Sequence, residues 1–177
     1  MFGTVSLETD FVELLRTLIR FDTSNPPGNE RACVEFVGGL FERAAIEHQY
    51  IAVDPDRPNL VARIPGRGDA PPLLLYGHVD VVPANPPEWT HPPFDAELVD
   101  GEVWGRGALD MKSGVAMLVA TGLQVAAGPP PPGDVILALT VDEEAGSGPG
   151  MKHLVEEHAD LFADVRHERH AARRLNR

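Results

Sequence analysis

Three short segments hold most of the residues whose types and spacing could do chemistry: His78-Val-Asp80, Asp110 within GRGALDMKSG, and Asp142-Glu143-Glu144. Each puts an ionisable group where an apolar run ends or a helix is expected to begin. Residues i and i+2 of an extended strand point the same way, so the Asp80 carboxylate can approach the His78 ring. A carboxylate behind a histidine fixes its tautomer and raises its basicity, as the outer partners of metal-bound histidines do. The acidic trio follows VILALTV, and three adjacent carboxylates repel and shift one another's pKa values. Taken singly, each segment has a plainer account: a surface histidine beside a turn aspartate, an acid favouring a helix N-terminus, or a solvated acidic turn. Taken together, one imidazole with carboxylates and no thiolate is a ligand set suited to Zn2+, Mn2+ or Co2+.

Other chemistries fail on spacing. GRGALDMKS brushes the phosphate-loop pattern, but Met111 stands where a glycine must precede Lys112. His167-Glu168-Arg169-His170 is one residue short of HExxH, and His153 with His158 misses the inverted form. No GxSxG elbow exists, so Gly146-Ser147-Gly148 reads as a loop. Composition removes further classes. The 177 residues carry 27 Asp+Glu against 15 Lys+Arg, a net charge of -12, which argues against a nucleic-acid partner. The charge is uneven, at -16 over residues 1–165 and +4 over residues 166–177. One cysteine, Cys33, rules out an internal disulfide framework and a thiolate-rich zinc site. The start has no basic segment followed by an apolar one, and the apolar stretch Gly114–Ala127 is too short for a bilayer. The expected setting is cytoplasmic, without a membrane partner.

The elements that must position these groups are legible in outline. Leu7, Phe11, Leu14, Leu15 and Leu18 form one helical stripe, ended by the prolines and glycine of Thr23–Asn29. Asn29 is the expected N-cap of a second helix carrying Val34, Val37, Phe41 and Ala44 on one face. Strands are expected at Tyr50–Val53, Asn59–Ile64, Leu73–Tyr76 and Val135–Val141, the last two buried. Asp100-Gly101 supplies the turn of a hairpin, and helices are expected at Met111–Ala127 and from Met151 to His158. Helices alternating with buried strands indicate an α/β fold, a mostly parallel or mixed sheet flanked by helices. Ligands bind such sheets outside the carboxyl ends of the strands, where His78 and the acidic trio would lie.

YGHVDVVP, WGRGALDMKSG and VDEEAGS, in that order and about thirty residues apart, closely resemble the dinuclear zinc amidohydrolase and peptidase family. That family includes aminoacylase, carboxypeptidase S, acetylornithine deacetylase and succinyl-diaminopimelate desuccinylase. The resemblance covers about residues 7–165, and EWTHPPFDAELVDGEVWGRGALDMK is most similar to the carboxypeptidase S branch. It implies the catalytic-domain fold of zinc aminopeptidase-like hydrolases, with residues 1–165 as an incomplete, N-terminal part of that domain. It also implies two divalent cations, most often Zn2+, with Co2+ or Mn2+ as alternatives. By motif position His78 would bind one ion, Asp110 would bridge both, and Glu144 would bind the other. Asp80 would orient His78, and Glu143 would be the general base that activates the water between the ions. The substrate implied is a small N-acyl amino acid or peptide, cleaved at its amide bond.

The resemblance also implies parts not seen in this sequence. These are a lid domain through which members often dimerise, a late metal-binding histidine and a further carboxylate ligand. Glu168 lies at a suitable distance from Glu144, but RHERHAARRLNR does not resemble that ligand segment, and residues 166–177 are expected to be an Arg-rich tail outside the fold. Two other classes therefore stand beside the hydrolase: a truncated, catalytically inactive fragment, and a metal-binding module without turnover. In the truncated fragment, the sheet should present an unpaired edge that tends to associate.

Overall fold

The computed structural model describes residues 10–165; Leu7, Glu168 and the Arg-rich tail lie outside the described residues. The chain forms strands β1 (Glu47–Ile51), β2 (Asn59–Ile64) and β3 (Leu73–His78), a hairpin of β4 (Glu97–Val99) and β5 (Glu102–Trp104), and β6 (Val135–Thr140). The main sheet runs β1-β2-β6-β3. β1–β2 and β2–β6 are antiparallel, and β3–β6 is the parallel pair, linked through the hairpin and a long helix. The sheet is therefore mixed rather than mostly parallel. Only seven residues, 52–58, join β1 to β2, and a short connection of that kind closes an antiparallel pair.

Helices α1 (Phe11–Ile19), α2 (Arg31–Arg43) and α3 (Lys112–Ala127) pack a large core with the sheet. β2 and β6 alternate between two cores with the period of a strand. Leu60, Ala62, Ile64, Leu137 and Leu139 join the helix-covered core, while Val61, Ile136 and Ala138 join a smaller one with Ile51 and Leu154. Leu154 belongs to α4 (His153–Glu157), a single short helix where a longer one from Met151 was expected. The Asp100-Gly101 turn has positive φ at both residues (51° and 85°), as a tight hairpin of this kind demands.

Some expectations are corrected. α2 begins at Arg31 with Glu30 at the cap, because Asn29 turns its amide to the Asp22 carbonyl (3.3 Å) instead of capping. β1 starts at polar Glu47 rather than Tyr50, which an edge strand tolerates because one side meets water. The run Leu73–Tyr76 is not buried as its apolar character suggested. Leu73 and Tyr76 are 55% and 59% exposed, because β3 has β6 on one side and no strand on the other among the described residues. Only its last two residues, Gly77 and His78, are buried. No helix of the described residues is long and apolar enough to cross a membrane.

Candidate metal centre

The parallel pairing of β3 with β6 sets His78 opposite Thr140, so both strands deliver their carboxyl ends to one place. His78 is buried, and its Nδ1–H donates to the Asp80 backbone carbonyl at 3.1 Å, with an Asp80 carboxylate oxygen at 3.5 Å. A carbonyl can only accept, so the proton of the neutral ring is fixed on Nδ1 and the Nε2 lone pair faces outward. Asp110 Oδ1 lies 3.2 Å from Nε2 and Glu143 Oε2 lies 3.7 Å from it.

Asp110 reaches this point from a tightly held turn. Gly107 takes a positive φ of 83°, and its carbonyl accepts from the Lys112 backbone N–H at 2.8 Å. The Lys112 side chain is fully buried and donates to the Leu18 (2.9 Å) and Phe21 (2.7 Å) carbonyls, which ties the start of α3 to the end of α1. Buried ammonium groups require such partners. Glu143 and Glu144 are set by the turn after β6, where Asp142 adopts a left-handed φ of 65°. Their backbone N–H groups donate to the two Asp80 carboxylate oxygens, each at 3.1 Å, and the Asn25 amide donates to the same carboxylate at 2.9 Å.

Ligand atoms of His78, Asp110 and Glu144 all lie within 4.8 Å of one another. Divalent-ion bonds of about 2.1 Å at tetrahedral angles need ligand atoms roughly 3.4 Å apart. Asp110 is exposed and Glu144 only partly buried, so side-chain rotation can close that gap. The donor set, one tautomer-fixed imidazole with two carboxylates, fits a divalent cation.

Electrostatics favour positive charge here: in the metal-free chain His78 holds a proton on Nε2 near neutral pH, and a bound cation would take that proton's place. Burial opposes protonation of His78, but the hydrogen bonds and charge of Asp80, with the charge of Glu143, push its pKa up to about 9. Burial likewise favours a neutral Asp80, yet hydrogen bonds from His78, Asn25 and the Glu144 and Glu143 amides hold its carboxyl below the usual range. The Glu144 carboxyl is pushed up, first by desolvation and then by the Asp110, Asp80 and Glu143 charges, against the pull of His78. A cation among these groups would relieve that repulsion.

His78, Asp80, Asp110, Glu143 and Glu144 are thus brought together from three segments. Glu168 lies outside the described residues. Asn25, Glu30, Arg57 and Asp142 also line the inner side of the site; of these the sequence marks only Asp142, as a member of the acidic trio. The signal available for Asn25 was its place in the TSNPPGN turn; Glu30 and Arg57 carried none beyond their charge.

A mixed sheet that sends a histidine and a carboxylate cluster to the same strand ends defines an α/β domain with a candidate metal centre. Comparison with known proteins is more specific. Residues 74–173 match the model of peptidase family M20/M25/M40, and the chain belongs to that family. It is 53% identical over 101 residues to a succinyl-diaminopimelate desuccinylase of Paracoccus denitrificans, covering 56% of this chain and 26% of that protein. It is 38% identical over 161 residues to succinyl-diaminopimelate desuccinylase 2 of a Ruegeria species, covering 88% of this chain and 39% of that one. Its fold is similar to that of human carnosine dipeptidase 1, with a TM-score of 0.78 at 23% identity over 89% of this chain and 37% of that one. The chain thus spans between a quarter and two-fifths of the length of these relatives.

Proposed function

We propose that this chain carries the metal centre of an amide hydrolase acting on an N-acylated amino acid or small peptide. The carrying observation is the convergence of His78, Asp110 and Glu144 ligand atoms within 4.8 Å at the ends of two parallel strands. In this reading residues 1–165 are the N-terminal part of the catalytic domain, and a succinyl group is the proposed acyl portion, supported by the names of the relatives. His78, Asp110 and Glu144 would hold the two divalent cations, with Zn2+ as the proposed ion. When bound, such ions lower the pKa of water and polarise an amide carbonyl.

The side chains of this protein supply the remaining parts. Asp80 holds the His78 tautomer that leaves Nε2 free to coordinate. Glu143, half exposed and 3.7 Å from Nε2, is free to take a proton from attacking water and pass it to the leaving nitrogen. A second role for a glutamate beside Glu144 distinguishes this reading from a metal-carrying module. A cytoplasmic setting is proposed with it, supported by a single cysteine that is buried and unpaired.

The test is hydrolysis of an N-succinyl amino acid by the chain with added Zn2+ or Co2+. Glu143→Gln should keep metal uptake and lose activity by about a thousandfold. Full activity in metal-free protein would contradict the reading. Uptake of metal with no turnover by the unsubstituted chain would favour the metal-binding module.

A further inference from the structure

A chain of buried and partly buried polar side chains runs behind the candidate ligands, and the proposed reaction does not use them. Glu30, fully buried at the start of α2, accepts two bonds from Arg57, Nη2–Oε1 at 2.6 Å and Nε–Oε2 at 3.0 Å. The third guanidinium nitrogen donates to Asp142 Oδ1 at 3.0 Å. Asn25, also buried, donates to that same Asp142 oxygen at 3.1 Å and to Asp80 Oδ2 at 2.9 Å. Asp142 Oδ2 receives the Gly148 N–H at 3.2 Å, which closes the turn bearing Glu143 and Glu144.

The backbone leaves Asn25 little freedom. Ser24 pairs in parallel with Val81, the Asn25 N–H donates to the Val81 carbonyl (2.9 Å), and the Val81 N–H donates to that of Thr23 (3.1 Å). Thr23 Oγ1 donates to the Val79 carbonyl at 2.6 Å. The 23–25 segment is therefore strapped along residues 79–81, and the strap fixes where the Asn25 amide points. Buried ion pairs contribute little net stability compared with apolar residues of equal volume. Stability alone does not account for such a chain ending on one carboxylate and two amides of the site.

We propose that Glu30, Arg57, Asp142 and Asn25 form a positioning chain. It holds the Asp80 carboxylate, and through it the His78 ring and the Glu143–Glu144 backbone, in the arrangement that the metal centre uses. The inference rests on the metal-centre reading above, but part of its test does not. In the metal-free chain, Asn25→Ala should speed hydrogen exchange of the Glu143 and Glu144 amides by about tenfold, since their acceptor loses its brace.

Titrated with Co2+, the same variant should bind about 10- to 100-fold more weakly and shift the visible absorption band of the ion. A purely structural strap would move the melting point and leave that band in place. Arg57→Lys keeps the charge but cannot span Glu30 and Asp142 with a fork, so it should move both readouts the same way; it decides the matter if Asn25→Ala does not fold. Unchanged amide exchange and an unchanged Co2+ titration in a folded variant would overturn the positioning chain. An unsubstituted chain that takes up no Co2+ would overturn the metal-centre reading instead, and the exchange measurement would still judge the brace on Asp80.

Discussion

Asp80 and Asp110 both approach the His78 imidazole, yet their surroundings are opposite. Asp80 is fully buried and accepts from Asn25 and from two backbone amides. The Asp110 side chain is 80% exposed, and among the described residues its one polar side-chain partner is His78. One aspartate is part of the scaffold and the other is presented to a ligand. The division extends to their neighbours. Asp142 turns inward to Arg57 and Asn25, while Glu143, next in the chain, stands half exposed. A site built this way fixes the inner side during folding and leaves the outer carboxylates to be ordered by what they bind.

Loss of stability in the metal-free chain should therefore fall off sharply from the inner side to the outer. Arg57→Met strikes hardest, because it leaves the Glu30 and Asp142 carboxylates buried without their cation; a loss of about 3–5 kcal/mol is expected in urea denaturation. Asp80→Ala removes the acceptor of three donors and should cost about 1–3 kcal/mol in the same assay.

Cys33 tests how closed the inner side is. Desolvation pushes its thiol up to about 11, from 9.0, so the folded chain holds the neutral form. The corresponding stability is complete below pH 9 and drains away as pH rises toward 11, by about 3 kcal/mol, while the folded chain at pH 8 should resist thiol reagents. Asp110→Asn stands at the other extreme, with a change within about 0.5 kcal/mol. If it destabilises the metal-free chain as much as Asp80→Ala, the contrast between the two aspartates fails.

Much of this layout is legible in the residues themselves. The all-buried β6, the hairpin at Asp100-Gly101 and the helix after Met111 follow from apolar runs, turn chemistry and periodicity. The approach of Asp80 to His78 is legible because strand geometry relates i to i+2, and the place of the acidic trio because it ends a core strand. Other features depended on tertiary pairing. LLLY looks like an interior strand, but its exposure follows from its place at the sheet edge among the described residues. Asp142 resembled its two neighbours in sequence, and only a left-handed turn sends it inward. The partnership of Glu30 with Arg57 spans 27 residues and two loops, a distance over which charge carries no local signature.

The most direct test of the account is Co2+ binding to the chain, followed by isothermal titration and visible absorption. The unsubstituted protein should take up the ion with a histidine-and-carboxylate spectrum, and Asp110→Asn should lose most of that affinity while its metal-free melting curve stays where it was. Equal affinity and an identical spectrum in the Asp110→Asn and unsubstituted chains would contradict the assignment of this cluster as the metal centre.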